Sequence, residues 1–294
     1  MPHYLRLFDP WKNPLCTCPP KYSLQPYTGC SHKCLYCYAS SYIGYRDSLP
    51  KKDFIKKLLR DLRKADKNLP VSISNSSDPY PPMEKEIKLT RQALKLLLNL
   101  GFKVLIVTKS NLVLRDVDLL SSGNASISLT ITTLNEALAK RMEPHAPPPS
   151  ARLTAIKKLC EEGIPVSVRI DPIIPGINDD PAELEELVSR VADKGALHIV
   201  ASTYKVKLDN LGRMSRAFPE KAVEWRKLYL KYGARIKGYW YLPERLRKRL
   251  LEPVLKQARK ERISYAVCRE GFRSKDFFNA PSCDGSHLIP LRIL

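Results

Sequence analysis

A chain of 294 residues, 44% of them hydrophobic, can bury a substantial core as one large domain or as a domain with an appendage. Its 50 Lys/Arg against 30 Asp/Glu leave a net charge of +20. No apolar run approaches the ~20 residues that a bilayer helix needs. No N-terminal apolar segment of signal-peptide type is present, and eight cysteines in that setting argue for metal binding rather than disulfides. The expectation is a cytoplasmic protein with no membrane contact.

Residues 1–23 hold Pro2, Pro10, Pro14, Pro19 and Pro20 with Phe8 and Trp11, and read as an extended arm laid over a domain. Short β-rich runs then alternate with amphipathic helices. The spacing predicts a helix over 51–67, with Phe54, Ile55, Leu58, Leu59 and Leu62 on one face, followed by a strand at 71–74. Helix 84–100, strand 103–108, a helix near 112–121 and strand 126–132 follow. Helices near 134–142 and 150–163 flank the proline-rich turn 144–149, and strand 166–170, helix 181–194 and strand 197–203 complete the series. With the strand that leads into Cys30, this makes six β-α units whose spacers are long enough for parallel crossovers. Six units suit a partial (β/α)6 TIM-like barrel over 24–205, with a flavodoxin-like doubly wound sheet as the alternative. Beyond it, 206–294 reads as a basic, mainly helical extension, with helices near 217–231 and 242–262 and a short-stranded or irregular tail.

The chemistry is concentrated in Cys30, Cys34 and Cys37, a C-x3-C-x2-C triplet. Three close thiolates suit one face of a cubane iron–sulfur cluster and leave its fourth iron without a protein ligand. An electron-transfer cluster takes four cysteines, whereas a vacant metal position marks chemistry, as at catalytic zinc. The competing reading is a structural zinc site completed by His32 or a distant residue, in a non-enzymatic zinc protein that binds nucleic acid. Zinc motifs of that kind pair C-x2-C with a second such pair, and none follows here.

The charge is uneven: residues 205–275 carry 21 Lys/Arg against 7 Asp/Glu. Such asymmetry attracts polyanions through counterion release, so nucleic acid is the expected partner of this region. The interleaved Tyr229, Tyr232, Tyr239, Trp240 and Tyr241 are candidates to stack on bases, and Trp225 reads as a packing residue. The competing reading is a basic surface that serves solubility, with a protein or small molecule as substrate.

The triplet and the β-α series resemble the radical SAM superfamily, and within it the spore photoproduct lyase-like group. The likeness rests on Pro26–Cys30 through Cys37-Tyr38-Ala39, Ser77–Glu84, Thr108-Lys109-Ser110, Thr132-Thr133, Glu143-Pro144 and Asp171–Gly176. It implies a [4Fe–4S] cluster on Cys30, Cys34 and Cys37, with S-adenosylmethionine (AdoMet) chelating the fourth iron. An external one-electron reductant would then yield a 5′-deoxyadenosyl radical that abstracts hydrogen from substrate. It also implies roles for Asp78 and Ser77 at the AdoMet ammonium, Lys109 at its carboxylate, Ser128 or Thr130 at the ribose, and Tyr36 near the adenine. Tyr38 is then the candidate radical relay. Arg169, mid-strand, needs a buried partner such as Glu143 or the ligand itself. One departure matters: Asn75 stands where spore photoproduct lyase has its hydrogen-donating cysteine, which argues against direct photoproduct reversal.

Of the remaining cysteines, Cys160 reads as a core residue of helix 150–163. Cys16, Cys18, Cys268 and Cys283 lie outside the six units, at the two ends of the chain. They are candidates for a second iron–sulfur cluster or a zinc ion.

Overall fold

Eight strands lie side by side in chain order in one sheet: β1 Leu5–Leu7, β2 Tyr22–Leu24, β3 Val71–Ile73, β4 Val104–Thr108, β5 Ala125–Thr130, β6 Val166–Ile173, β7 His198–Thr203 and β8 Ser264–Val267. This is a computed structural model, and it describes residues 4–8 and 13–292; Pro2, Pro10 and Trp11 of the arm lie outside them. The edge strand β1 runs antiparallel to β2, and every later neighbour is parallel. Parallel neighbours need right-handed crossovers, so a sheet whose strands follow chain order winds always in the same direction. A doubly wound sheet reverses its strand order at a switch point. There is no reversal here, which removes the flavodoxin-like alternative and leaves a mixed α/β fold with a central parallel sheet of TIM-like type.

The series also continues past residue 205. Helix Glu244–Lys260 packs against helix Pro181–Asp193 and returns the chain to β8, which pairs with β7 from Ser264↔His198 to Val267↔Ala201. The basic region thus supplies a seventh parallel strand to the barrel sheet, beyond the six units counted from sequence.

Two helices depart from the periodic pattern. The stretch 84–100 breaks into Glu84–Ile87 and Leu89–Asn99 at Lys88, whose φ is 53°. The fully buried Glu84 carboxylate accepts from the Thr90 and Arg91 amides at 3.0 and 3.2 Å, so it caps the second helix. An anion there satisfies two orphan donors and the helix dipole together, which outweighs one left-handed lysine. The stretch 217–231 is a set of tight turns ending in a π-helical turn at Arg226–Lys231. Trp225 is buried there as expected, with its indole N–H donating to the Pro175 carbonyl at 3.0 Å.

Strand alternation separates two faces. Val71, Ile73, Ile106, Ile127, Leu129, Val168, Ile170 and Ile199 are fully buried on the face that meets the helices. The other face carries Ser72, Ser126, Ser128, Thr130, Ser167, Arg169 and Ser202. A parallel sheet covered on both sides ordinarily reads as a continuous apolar run. The inner face of this one is polar on β3, β5 and β6, with Leu105, Val107 and Val200 as the apolar positions beside them, which marks a lined interior.

At one end that interior is plugged by the loop around Gly285, whose carbonyl accepts from Ser126 Oγ at 3.4 Å. His287 of the same loop stands edge-on to His198, ring centroids 4.9 Å apart. Gly285 has φ 84°, and a Cβ there would lie 2.5 Å from Ser167 Oγ. Gly285→Ala therefore combines backbone strain with a clash, and should cost about 1–3 kcal/mol in denaturant unfolding. Wild-type stability in that variant would contradict the plug.

Candidate active site

The carboxyl ends of the parallel strands open into a cavity of about 730 Å³, lined by Cys30, Cys34, Cys37, Tyr36, Tyr38, Asp78, Lys109, Thr130, Arg169 and Asp171. All but Arg169, which stands mid-strand in β6, come from the loop after a strand or from its last residues, the usual place for function in such sheets. Ser77 and Ser128 stand just behind this lining. Both are buried, and their hydroxyls have no hydrogen-bond partner among the described residues.

The triplet loop is a tight, strongly determined turn. Gly29 has φ 73°, and a Cβ there would meet the Asp47 carbonyl oxygen at 2.2 Å, so no other residue fits. The Cys30 amide donates to the Arg46 carbonyl at 2.9 Å, and the Leu35 amide to Met142 at 2.9 Å. Burial raises the Cys34 thiol well above its ordinary value and the Cys30 thiol to about 11. Among the described residues no three His, Cys, Asp or Glu side chains converge on one metal ion. A cubane makes no such demand, because each thiolate binds its own iron.

Asp78 is held from all sides. Its Oδ1 accepts from the Tyr80 amide at 2.9 Å and Thr108 Oγ1 at 2.8 Å, and Oδ2 from the Lys109 amide at 2.8 Å. His32 Nε2 lies 3.3 Å from Oδ2. Burial alone would raise this carboxyl, but His32 and the backbone donors hold it down at about 2. Asp78 thus ties the triplet loop to the ends of β3 and β4 as a permanent carboxylate.

Lys109 Nζ stands 5.5 Å from the centre of the Tyr36 ring. Burial opposes its charge, yet Cys34 and Glu143 carry its pKa above the ordinary value, so it stays cationic. The Tyr36 hydroxyl donates to Glu143, which also accepts from Thr132 Oγ1 at 3.0 Å and pairs with Arg152 at 2.5 Å. Glu143 is therefore the partner of Arg152, not of Arg169. Arg169 pairs with Asp171 at 2.6 Å and also bonds the Cys268 sulfur. Two residues along a strand share a face, so Asp171 reaches Arg169 without leaving β6, whereas Glu143 is already taken.

Tyr38 meets Tyr239 edge-on at 5.4 Å, and the Arg269 guanidinium lies 5.2 and 4.3 Å from their ring centres. Tyr229, Tyr239 and Tyr241 are buried, so they pack the core instead of presenting stacking faces outside. Tyr232 is exposed, and Trp240 partly so, beneath Arg235 at 4.8 Å. Asn75 bridges Ser23 and Ser72 at 2.8 and 3.1 Å on the cavity wall. Cys160 donates to the Gly195 carbonyl at 3.2 Å, far in sequence from these groups.

Sequence reasoning missed the clamp on the triplet. Arg213 donates to the carbonyls of Leu35 at 3.1 Å and Cys37 at 2.9 Å, and to Ser40 Oγ at 2.6 Å. Asn210 Nδ2 donates to the Tyr36 carbonyl at 2.9 Å. Both stand on helix Leu208–Ala217, and their one local signal is the i,i+4 pair Asp209–Arg213.

A family model described as the radical SAM superfamily matches residues 24–191. An uncharacterized protein of Methanocaldococcus jannaschii is 36% identical over 174 residues, covering 54% of this chain and 62% of that protein. A radical SAM Nα-GlyT isomerase of Pseudomonas phage M6 is 25% identical over 272 residues, covering 88% of this chain and 55% of that protein. The matches thus span less than two thirds of either relative's length. A spore photoproduct lyase mutant with bound AdoMet and dinucleoside spore photoproduct superposes with a TM-score of 0.68 at 17% identity, covering 92% of this chain and 80% of that one. At that identity the likeness is one of fold.

Hydrogen bonds to a charged donor contribute about 1.5–3 kcal/mol each, so Arg213→Ala should loosen the triplet loop measurably. Iron should leave the variant to a chelator about tenfold faster than wild type, with circular dichroism unchanged. An unaltered rate would remove the clamp from the account.

Proposed function

This chain belongs to the radical SAM superfamily, and on that premise we propose that it abstracts hydrogen from a nucleic-acid substrate. The cluster ligands are Cys30, Cys34 and Cys37. The observation that carries the reading is the cavity at the carboxyl end of the barrel: three thiols and a half-buried cation line it, and the buried hydroxyls of Ser77 and Ser128, without partners among the described residues, stand just behind. That donor set fits a [4Fe–4S] cluster with AdoMet. When bound, the pair supplies reductive cleavage of AdoMet to a 5′-deoxyadenosyl radical, with the electron coming from an external reductant.

The protein's own residues bind and orient. Lys109, kept cationic by its neighbours, is the counter-charge for a carboxylate. Ser128 and Thr130, on one face of β5, offer hydroxyls to a ribose. Tyr36 is fixed by Glu143, so its ring wall does not swing. Asp78 keeps His32 and the ends of β3 and β4 in register, and its negative charge, with the Ser77 hydroxyl beside it, would attract the AdoMet ammonium. Arg169 acts with Asp171 as a positioning pair on the cavity wall. Tyr38, against Tyr239 and Arg269, is the candidate relay between cavity and substrate.

Support for a nucleic-acid substrate is electrostatic. Beyond the net charge of +20, Arg6 and Lys51 flank the cavity on its β1 side. The fold neighbour described above holds a dinucleoside, and nucleic-acid recognition draws on the same kind of cationic wall. With Asn75 in place of a donor thiol, the proposed outcome is modification or repair other than direct photoproduct reversal.

The test is an anaerobic reaction of reconstituted, reduced protein with AdoMet and deuterated DNA, RNA or peptide, read by the mass of 5′-deoxyadenosine. Deuterium from a nucleic acid, and none with Cys34→Ala, is expected. Label from peptide alone would overturn the substrate class. A second expectation concerns pH. Burial, with Arg6 beside it, holds the Lys51 ammonium down at about 8, so it carries charge below that pH and loses it above. Oligonucleotide affinity should therefore fall as pH rises through 8. Lys51→Met should bind more weakly at neutral pH and lack that step.

A further inference from the structure

Among the described residues the two ends of the sheet, β1/β2 and β8, share no backbone ladder, so the interior has a seam there. Side chains and loops cross it. Buried Lys21, just before β2, pairs with buried Asp284. The Gly271 amide donates to Leu15 at 3.2 Å, and Asn13 Nδ2 to the Tyr241 hydroxyl at 3.0 Å.

Four cysteines from far-separated parts of the chain meet at the same seam. Cys16 and Cys18 precede β2, Cys268 follows β8 directly, and Cys283 sits beside Asp284. Cys18 Sγ lies 3.4 Å from Cys283 Sγ, and the Cys16 and Cys18 thiols are hydrogen-bonded. Cys268 interacts electrostatically with Cys16, Cys18 and Cys283, and Arg169 bonds its sulfur. None of the four belongs to the triplet. Chance placement would not gather all four from segments more than two hundred residues apart in sequence.

We propose that Cys16, Cys18, Cys268 and Cys283 ligate a second, thiophilic metal ion that staples the first and last strands together. A tetrahedral zinc with Zn–S bonds of about 2.3 Å sets its sulfurs about 3.8 Å apart. The Cys18–Cys283 spacing is close to that edge, and well beyond the ~2.05 Å of a disulfide. The thiols as they stand hydrogen-bond one another rather than converge on a point, which matches the lack of a ready three-donor set among the described residues. Deprotonation and small side-chain rotations within the two loops bring them onto one ion. Lys21 and Arg169, although also paired with Asp284 and Asp171, lie beside the sulfurs and offset part of the thiolate charge. A single zinc is the expected occupant, because Cys18 and Cys283 at 3.4 Å are too close for two separated corners of a cubane.

Metal analysis of the full chain, purified anaerobically and reconstituted, tests this. About one zinc is expected beside about four irons per chain. Cys18→Ser/Cys283→Ser should lose the zinc and keep the iron. Cys30→Ala/Cys34→Ala/Cys37→Ala should keep the zinc and lose the iron, so failure of this site and failure of the radical reading are told apart. Should the double variant not fold, cobalt added to wild type gives the second readout, the intense visible absorption of tetrahedral cobalt thiolate. Iron alone at four per chain, or two thiols missing from a denatured thiol count with no zinc, would overturn the site. Eight irons per chain would overturn zinc as its occupant.

Discussion

A polar inner face on a sheet that is otherwise buried on both sides is the constraint from which the rest follows. Serines, a threonine and an arginine on β5 and β6 are costly in a dry interior unless each finds a partner or a ligand. The fold meets that cost differently at its two ends. At the plugged end, Ser126 donates to the Gly285 carbonyl of the plug loop and Ser167 to the Ile127 carbonyl of the neighbouring strand. At the open end, Arg169 takes Asp171, while Ser128 and Ser77 stay without partners among the described residues. The polarity that would destabilise a plain core is here concentrated where a ligand is expected.

The triplet loop depends on elements both inside and outside the stretch that carries the family likeness. Its carbonyls are gripped by Arg213 and Asn210, from the basic region after residue 205, and its tyrosine is locked to Glu143 and Arg152. Cofactor chemistry of this kind asks the protein for orientation rather than reactivity. A loop whose main chain is hydrogen-bonded to a charged side chain supplies it. The same region returns β8 to the sheet and carries Glu270, whose carboxylate holds Lys205 at 3.2 Å and Arg247 at 2.9 Å in the core. Much of the positive charge of residues 205–275 is thus surface, but some of it is internal and already paired.

What was legible in the sequence followed from local rules. Strand period, helical spacing and the C-x3-C-x2-C run placed the six units, the triplet, and Asp78 and Lys109 at strand ends. The misreadings came from long-range competition. Glu143 looked available to Arg169 until Arg152, nine residues on and invisible as a partner in one dimension, claimed it. Tyr239 and Tyr241 looked like stacking faces because interleaved charge suggests a surface, yet both are buried against Arg269 and Asn13. The break at Lys88 came from a buried glutamate capping the next helix, and β8 was hidden behind a long basic helix.

The central claim, an open-faced cluster whose fourth iron receives AdoMet, is most directly read by electron paramagnetic resonance. The reconstituted protein is reduced and frozen with AdoMet labelled with ¹⁵N at its amino group. The account predicts a reduced-cluster signal that shifts on adding AdoMet and carries ¹⁵N hyperfine coupling. A cluster signal indifferent to AdoMet, or no cluster on the intact triplet, would contradict it.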